Sequence, residues 1–176
     1  CVTPYEVATG VSPDNTHIRK GTPEGAEIFK SQVRYMDALV GRIIDTVAAQ
    51  GLSKDTIIIY TSDNGTTSSA KGKGVEYGVH VPFVLSGPQI NIAGATDELM
   101  DFTDILPTFA EWAGVDLTDV KYDGVSLAHF LAGNSSVTKP AIYSFPGPAR
   151  LIRTKTHLLE AVSPLYDQAS GKLYKT

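Results

Sequence analysis

Between Thr22 and Gly51 the apolar residues Val33, Met36, Val40, Ile43, Ile44 and Val47 recur at the three-and-four spacing of one helix face. The flanking residues agree with that period. Thr22 is a good N-cap, Pro23 is tolerated at the first helical position, and Gly51 suits the turn that ends a helix. The spacing predicts a helix to about Gln50 with this face buried. The period then changes. Thr56 to Thr61, opening on the β-branched run Thr56-Ile57-Ile58-Ile59, reads as a strand buried on both faces, as in a parallel sheet.

Val81 to Leu85 reads as a second short strand, stopped by Ser86-Gly87-Pro88. Thr103 is the expected cap of a helix running to Trp112 and closed by Gly114, with Pro107 in its first turns, where it does little damage. Ser126 to Leu131 predicts a short helix ended by Gly133. Beyond Asn134 the texture becomes short strands broken by Pro, Gly and Lys: Ala141–Ser144, Leu151–Thr154 and His157–Glu160, then Tyr166-Asp167 and Leu173-Tyr174. Cys1 to Gly21 reads as loop. The expected division is residues 1–133 as the larger α/β part and 134–176 as a small antiparallel part.

Composition narrows the classes. The 176 residues are 42% hydrophobic and 19% charged, as in an ordinary globular protein with one core. A net charge of −4 argues against a nucleic-acid surface. The single cysteine cannot form an internal disulfide. No apolar run approaches the roughly 18 residues of a membrane span. The chain starts without Met, and the expectation is a piece of a longer protein.

The chemistry concentrates where the β-branched run ends. Asp63 and Asn64 set two hard oxygen side chains side by side, and Gly65 breaks the strand. A Ser/Gly/Lys loop follows, carrying Lys71 and Lys73. An isolated Asp-Asn-Gly is ordinarily a turn. Oxygen donors beyond a strand end, with lysines close behind in sequence, point instead to a divalent cation and an anionic substrate. His17, His129 and His157 lack metal spacing and read as surface or structural histidines. Asn64-Gly-Thr66 and Asn134-Ser-Ser136 fit the glycosylation acceptor pattern, the first being better read as a ligand carrier.

These motifs, in order, resemble the later part of a sulfatase, in the alkaline-phosphatase-like superfamily. The family's Asp-Asn-Gly after a hydrophobic strand is similar to Asp63-Asn64-Gly65. Its Lys-Gly-x-x-x-Glu-Gly-Gly-x-Arg-x-Pro is matched without gaps by Lys71-Gly72, Glu76, Gly78 and Pro82, with Tyr77 replacing the first Gly of the pair and His80 replacing Arg. Val33 to Ile44 resembles the helix carrying Asp-x-x-Val-Gly. Asp104-Ile-Leu-Pro-Thr108 and Asp123-Gly-Val-Ser-Leu127 resemble two further family motifs.

The resemblance implies a mostly parallel central sheet flanked by helices, plus part of a small C-terminal antiparallel sheet. It implies hydrolysis of a sulfate ester to alcohol and inorganic sulfate. Asp63 and Asn64 would complete a Ca2+ or Mg2+ site whose other ligands are acidic residues on a strand near the family's N-terminus. Lys71 would contact a sulfate oxygen, with Lys73 second in rank and His80 in a structural or rim role. The family nucleophile is a formylglycine made from Cys or Ser in Cys/Ser-x-Pro-x-Arg. Cys1-Val2-Thr3-Pro4-Tyr5 does not fit that motif, so the nucleophile is expected outside this chain. Expected partners are a sulfated small molecule or glycan and the rest of the sulfatase chain. The expected compartment is periplasmic, secreted or lysosome-like. The rival readings are a phosphonate or phosphate ester hydrolase of the same superfamily, and an inert fragment that binds or scaffolds.

Overall fold

A computed structural model describes residues 22–65, 75–137, 139–145, 149–162, 166–167 and 172–173. Two compact units are distinguished, Cys1–Thr56 and Ile57–Thr176. In the first, α1 spans Pro23–Ala49, and the Thr22 side chain accepts a hydrogen bond from the Gly25 amide at 3.1 Å. Such a cap is worth about 1 kcal/mol. Gly51, with φ 71°, lets Leu52 N–H return to the Val47 carbonyl and close the helix. Both ends match the sequence expectation. The expected burial does not hold: Val33, Met36, Ile43 and Ile44 are 41, 38, 58 and 46% exposed. Spacing records which residues share a face; covering it takes a second element, and this unit has none among its described residues.

The second unit begins with β1, Ile58–Thr61, whose isoleucines are half-buried. β1 pairs with β2, Phe83–Ser86, in the register Ile58↔Ser86 to Thr61↔Phe83, and the pairing is antiparallel. Every strand pair among the described residues is antiparallel, so the parallel central sheet read from the Ile57–Ile59 run is not among them. An apolar run reports burial and carries no information on strand direction. A short helix, α2, where the sequence reading assigned no element, lies between these strands at Glu76–Val79.

A 3-10 turn, Phe102–Asp104, leads into α3, Ile105–Ala113, which ends at Gly114 in the left-handed region with φ 66°. The N-terminal cap is Asp101, where the sequence suggested Thr103. The Asp101 carboxylate accepts from Thr103 N–H at 2.9 Å and also from its hydroxyl, while Asp104 Oδ2 accepts from Asp101 N–H at 2.9 Å. A carboxylate is a stronger acceptor than a hydroxyl and takes both bonds. α4 covers Ala128–Leu131. β3, Ile142–Ser144, β4, Ala149–Arg153, and β5, Leu158–Val162, form the expected antiparallel meander, and β6, Tyr166–Asp167, pairs with β7, Lys172–Leu173.

The centre of this unit is a polar knot inside an apolar shell. Asp104 is 0% exposed. Its Oδ1 accepts from Val125 N–H at 2.8 Å and from Lys139 Nζ at 2.6 Å. One helical turn later the buried Thr108 hydroxyl donates to the Asp104 carbonyl at 2.6 Å and accepts from Leu127 N–H at 2.9 Å. Asp104 and Thr108 thus fasten alternate amides of the 123–127 strip to one face of α3. That strip lies close: a Cβ on Gly124 would sit 2.0 Å from the Thr103 carbonyl oxygen. Leu127, Ala128, Leu131 and Ala110 bury the apolar side of the joint, and Leu151 of β4 is 2% exposed.

Lys139 also reaches Asp101 Oδ2 at 2.9 Å, and its side chain is only 8% exposed. Removing it would strand the buried Asp104 carboxylate. Lys139→Met is therefore expected to cost about 3–5 kcal/mol in chemical unfolding of this chain, the range for breaking a buried pair from one side; a loss below about 1 kcal/mol would contradict the role given to the knot. Burial pushes the Asp101 carboxyl up, but hydrogen bonds from Thr103 and Lys139 outweigh it and hold the group below 3.8. A depressed folded value stabilises in full above 3.8, and that contribution is lost as pH falls through the folded value. The stability gap between wild type and Asp101→Asn should shrink as pH falls below 3.8; a gap that widens on acidification would reverse the assignment.

Candidate functional site

β1 ends at Thr61, and the chain turns through Ser62–Gly65. The Ser62 hydroxyl donates to the Asn64 carbonyl at 3.0 Å, and Asn64 Nδ2 donates to the Gly65 carbonyl at 3.0 Å. With its amide nitrogen tied to the backbone, Asn64 keeps its carboxamide oxygen available, and no hydrogen bond among the described residues takes it up. Asn64 is half-buried and Asp63 exposed.

The turn is pressed against α2. Gly65 N–H donates to the Gly78 carbonyl at 3.0 Å, and Gly78 N–H donates to Val75 at 2.8 Å. A Cβ at position 65 would lie 1.7 Å from the Tyr77 carbonyl oxygen, so only glycine fits this backbone-to-backbone contact. Sequence reasoning took Gly65 as a strand breaker; close approach is the further reason. Asp63 and Asn64 are thereby held beside the Glu76–Val79 turn. Lys71 and Lys73 themselves lie outside the described residues, as do Cys1 and His17.

Glu76 anchors the second turn. Its carboxylate lies 3.3 Å from His80 Nδ1 and 3.9 Å from an Arg153 guanidinium nitrogen. Its N–H donates to Glu160 Oε1 at 3.1 Å, a contact between residues 84 apart. His80, at the end of α2, has a side chain 75% exposed. Tyr77 stands where the resembling pattern has glycine, and it is 71% exposed, so its ring occupies no space the turn needs. The contacts from Arg153 and Glu160 were not foreseen, because nothing local in the sequence joins a strand of the late meander to Glu76.

Chemically, Asp63 and Asn64 offer hard oxygen donors of the kind Ca2+ and Mg2+ prefer. They fit such a cation in type and fall short of its usual coordination in number. Among the described residues no group of three or more His, Cys, Asp or Glu is placed to hold a metal. Nor is any described helix long and apolar enough to cross a membrane.

A sequence profile of the Sulfatase family matches residues 9–115. The chain is 30% identical to human (Homo sapiens) arylsulfatase A over 131 residues, covering 67% of this chain and 26% of that protein. It is 30% identical to a choline-sulfatase of Rhizobium meliloti (strain 1021) over 128 residues, 69% of this chain and 25% of the relative. It is 30% identical to human N-acetylglucosamine-6-sulfatase over 129 residues, 69% of this chain and 23% of the relative. The chain thus spans about a quarter of the length of these relatives. The profile covers more than half of the chain, including the Asp63–Gly65 turn and Gly78, and the chain belongs to the sulfatase family.

Proposed function

We propose that this chain is part of a sulfatase that hydrolyses a sulfate ester to an alcohol and inorganic sulfate. The observation that carries the reading is the Gly65–Gly78 hydrogen bond. It holds the oxygen-bearing Asp63–Asn64 turn against the anchor of the segment that contains Lys71. The three relatives bear different group names and share the word sulfatase, so the sulfate ester is what transfers to this chain and the alcohol is left open.

In this reading Asp63 and Asn64 are two ligands of a Ca2+ or Mg2+ ion, the remaining oxygens coming from residues outside this chain. Such an ion, when bound, supplies positive charge where a sulfate oxygen becomes more negative. Lys71 binds the same sulfate group from the loop, and Lys73 is the weaker candidate. His80, exposed and held near the Glu76 carboxylate, sits at the rim. The nucleophile is a formylglycine contributed from outside this chain, since no Cys/Ser-x-Pro-x-Arg occurs in the 176 residues. The sulfatase family implies an alkaline-phosphatase-like α/β fold, and we place β1 in its mostly parallel sheet, with residues 134–176 as the small C-terminal part. The substrate is a sulfated small molecule or glycan, met in a periplasmic, secreted or lysosome-like compartment.

Positive charge beside a sulfate oxygen matters most in the transition state, where negative charge builds on that oxygen. In the intact protein Lys71→Ala should lower kcat/KM for an aryl sulfate by roughly 10²–10³, the cost of losing one such group. Lys73→Ala should cost far less, because the ungapped register through Glu76, Gly78 and Pro82 assigns the contact to Lys71. Steady-state kinetics of the two variants decide the matter. A crippled Lys73→Ala beside a near-normal Lys71→Ala would reverse the register, and two near-normal variants would remove the loop from sulfate binding.

A further inference from the structure

We propose that Glu160 and Arg153, on the β4–β5 hairpin, are positioning residues that fix the Glu76–Val79 turn against which the Asp63–Asn64 turn is held; the catalytic side of this proposal rests on the sulfate-ester reading above. Glu160 Oε1 accepts the Glu76 N–H at 3.1 Å, which is an otherwise unpaired donor at the start of α2. Val75, the residue at the cap position of that helix, has no side-chain oxygen to serve it. The carboxylate from the hairpin therefore does the work a local Ser, Thr or Asp would ordinarily do. Arg153 adds an ion pair to the Glu76 side chain at 3.9 Å.

The hairpin is a suitable platform because it is itself held. Leu151 of β4 is 2% exposed, and Lys155, beside the hairpin turn, pairs with Glu98 at 2.7 Å. Arg153 lies at one end of the ladder, opposite Leu158, and Glu160 at its middle, opposite Leu151. On the other side, Glu76 is two residues from Gly78, whose carbonyl holds Gly65 at 3.0 Å, next to Asp63 and Asn64. Lys71 is five residues before Glu76 in the chain. One hairpin thus reaches, through a single amide and a single carboxylate, the turn that holds Gly65 next to the Asp-Asn pair. Neither Glu160 nor Arg153 touches the Asp-Asn pair, so their action is through position.

The test uses three variants at position 160. Glu160→Ala removes the acceptor, whereas Glu160→Gln keeps an oxygen that can accept the Glu76 N–H without the charge. Hydrogen exchange of the Glu76 and Gly65 amides in this chain should quicken by about tenfold in Glu160→Ala and return most of the way in Glu160→Gln, as expected for losing and restoring one hydrogen bond. Glu160→Asp, one methylene shorter, should resemble the alanine variant. In the intact protein kcat/KM for an aryl sulfate should follow the same order, with the melting temperature nearly unchanged because Glu160 is exposed. Arg153→Met should give a smaller loss of the same kind. Unchanged exchange at both amides in Glu160→Ala overturns the brace. Altered exchange with unchanged kinetics, while Lys71→Ala remains crippling, overturns the positioning role. If Lys71→Ala is also silent, the sulfate reading fails, and the amide exchange alone judges the brace.

Discussion

A carboxylate with no exposure to solvent must have its oxygens occupied, and the second unit is arranged around meeting that requirement at Asp104. Its three partners come from three places: the Asp101 amide before the helix, the Val125 amide from the strip that follows it, and the Lys139 ammonium from the approach to β3. Each partner fixes a different segment, so the position of α3 determines where the 123–127 strip runs and where the meander begins. Thr108 repeats the device one turn along, with a hydroxyl in place of a charge. Asp104 and Thr108, four apart on the helix, receive the Val125 and Leu127 amides, two apart on the strip. A helix repeat of four residues meets an extended repeat of two.

From that joint a series of fixed contacts leads to the candidate site. Lys139 ties the start of the meander to Asp104, the meander presents Arg153 and Glu160, and these hold Glu76. Gly78 then holds Gly65, behind which stand Asp63 and Asn64. The polar groups of the site are thus placed by backbone hydrogen bonds and ion pairs more than by burial. Asp63 is exposed, and the Ile58–Ile59 strand beneath it is only half-buried. A site needing solvent access and a rigid frame is served by such an arrangement.

Legibility in the sequence followed the range of the interaction. The capped ends of α1, the left-handed Gly114 and the three-strand meander were all readable, because caps, turns and alternation are local. The cap of the 3-10 turn was misread by two residues, since Asp101 and Thr103 compete and only geometry shows the carboxylate accepting from both Thr103 groups. Strand direction was not readable from an apolar run, and neither was the covering of the α1 stripe. The Asp-Asn pair was singled out from residue type and placement at a strand end. Glu160 was not, because its partner is distant in sequence and the residue looks like any charged strand terminus.

The proposed chemistry is tested most directly by the intact protein's preference between two esters of one phenol, an aryl sulfate and the matching aryl phosphate. A sulfate monoester carries one negative charge and a phosphate monoester close to two, so a site built for one is poorly balanced for the other. Sulfate-ester hydrolysis as the native activity predicts a kcat/KM ratio in favour of the sulfate by at least roughly tenfold, about 1.4 kcal/mol of transition-state preference. A ratio favouring the phosphate would contradict it and assign the Asp63–Asn64 site to phosphoryl chemistry.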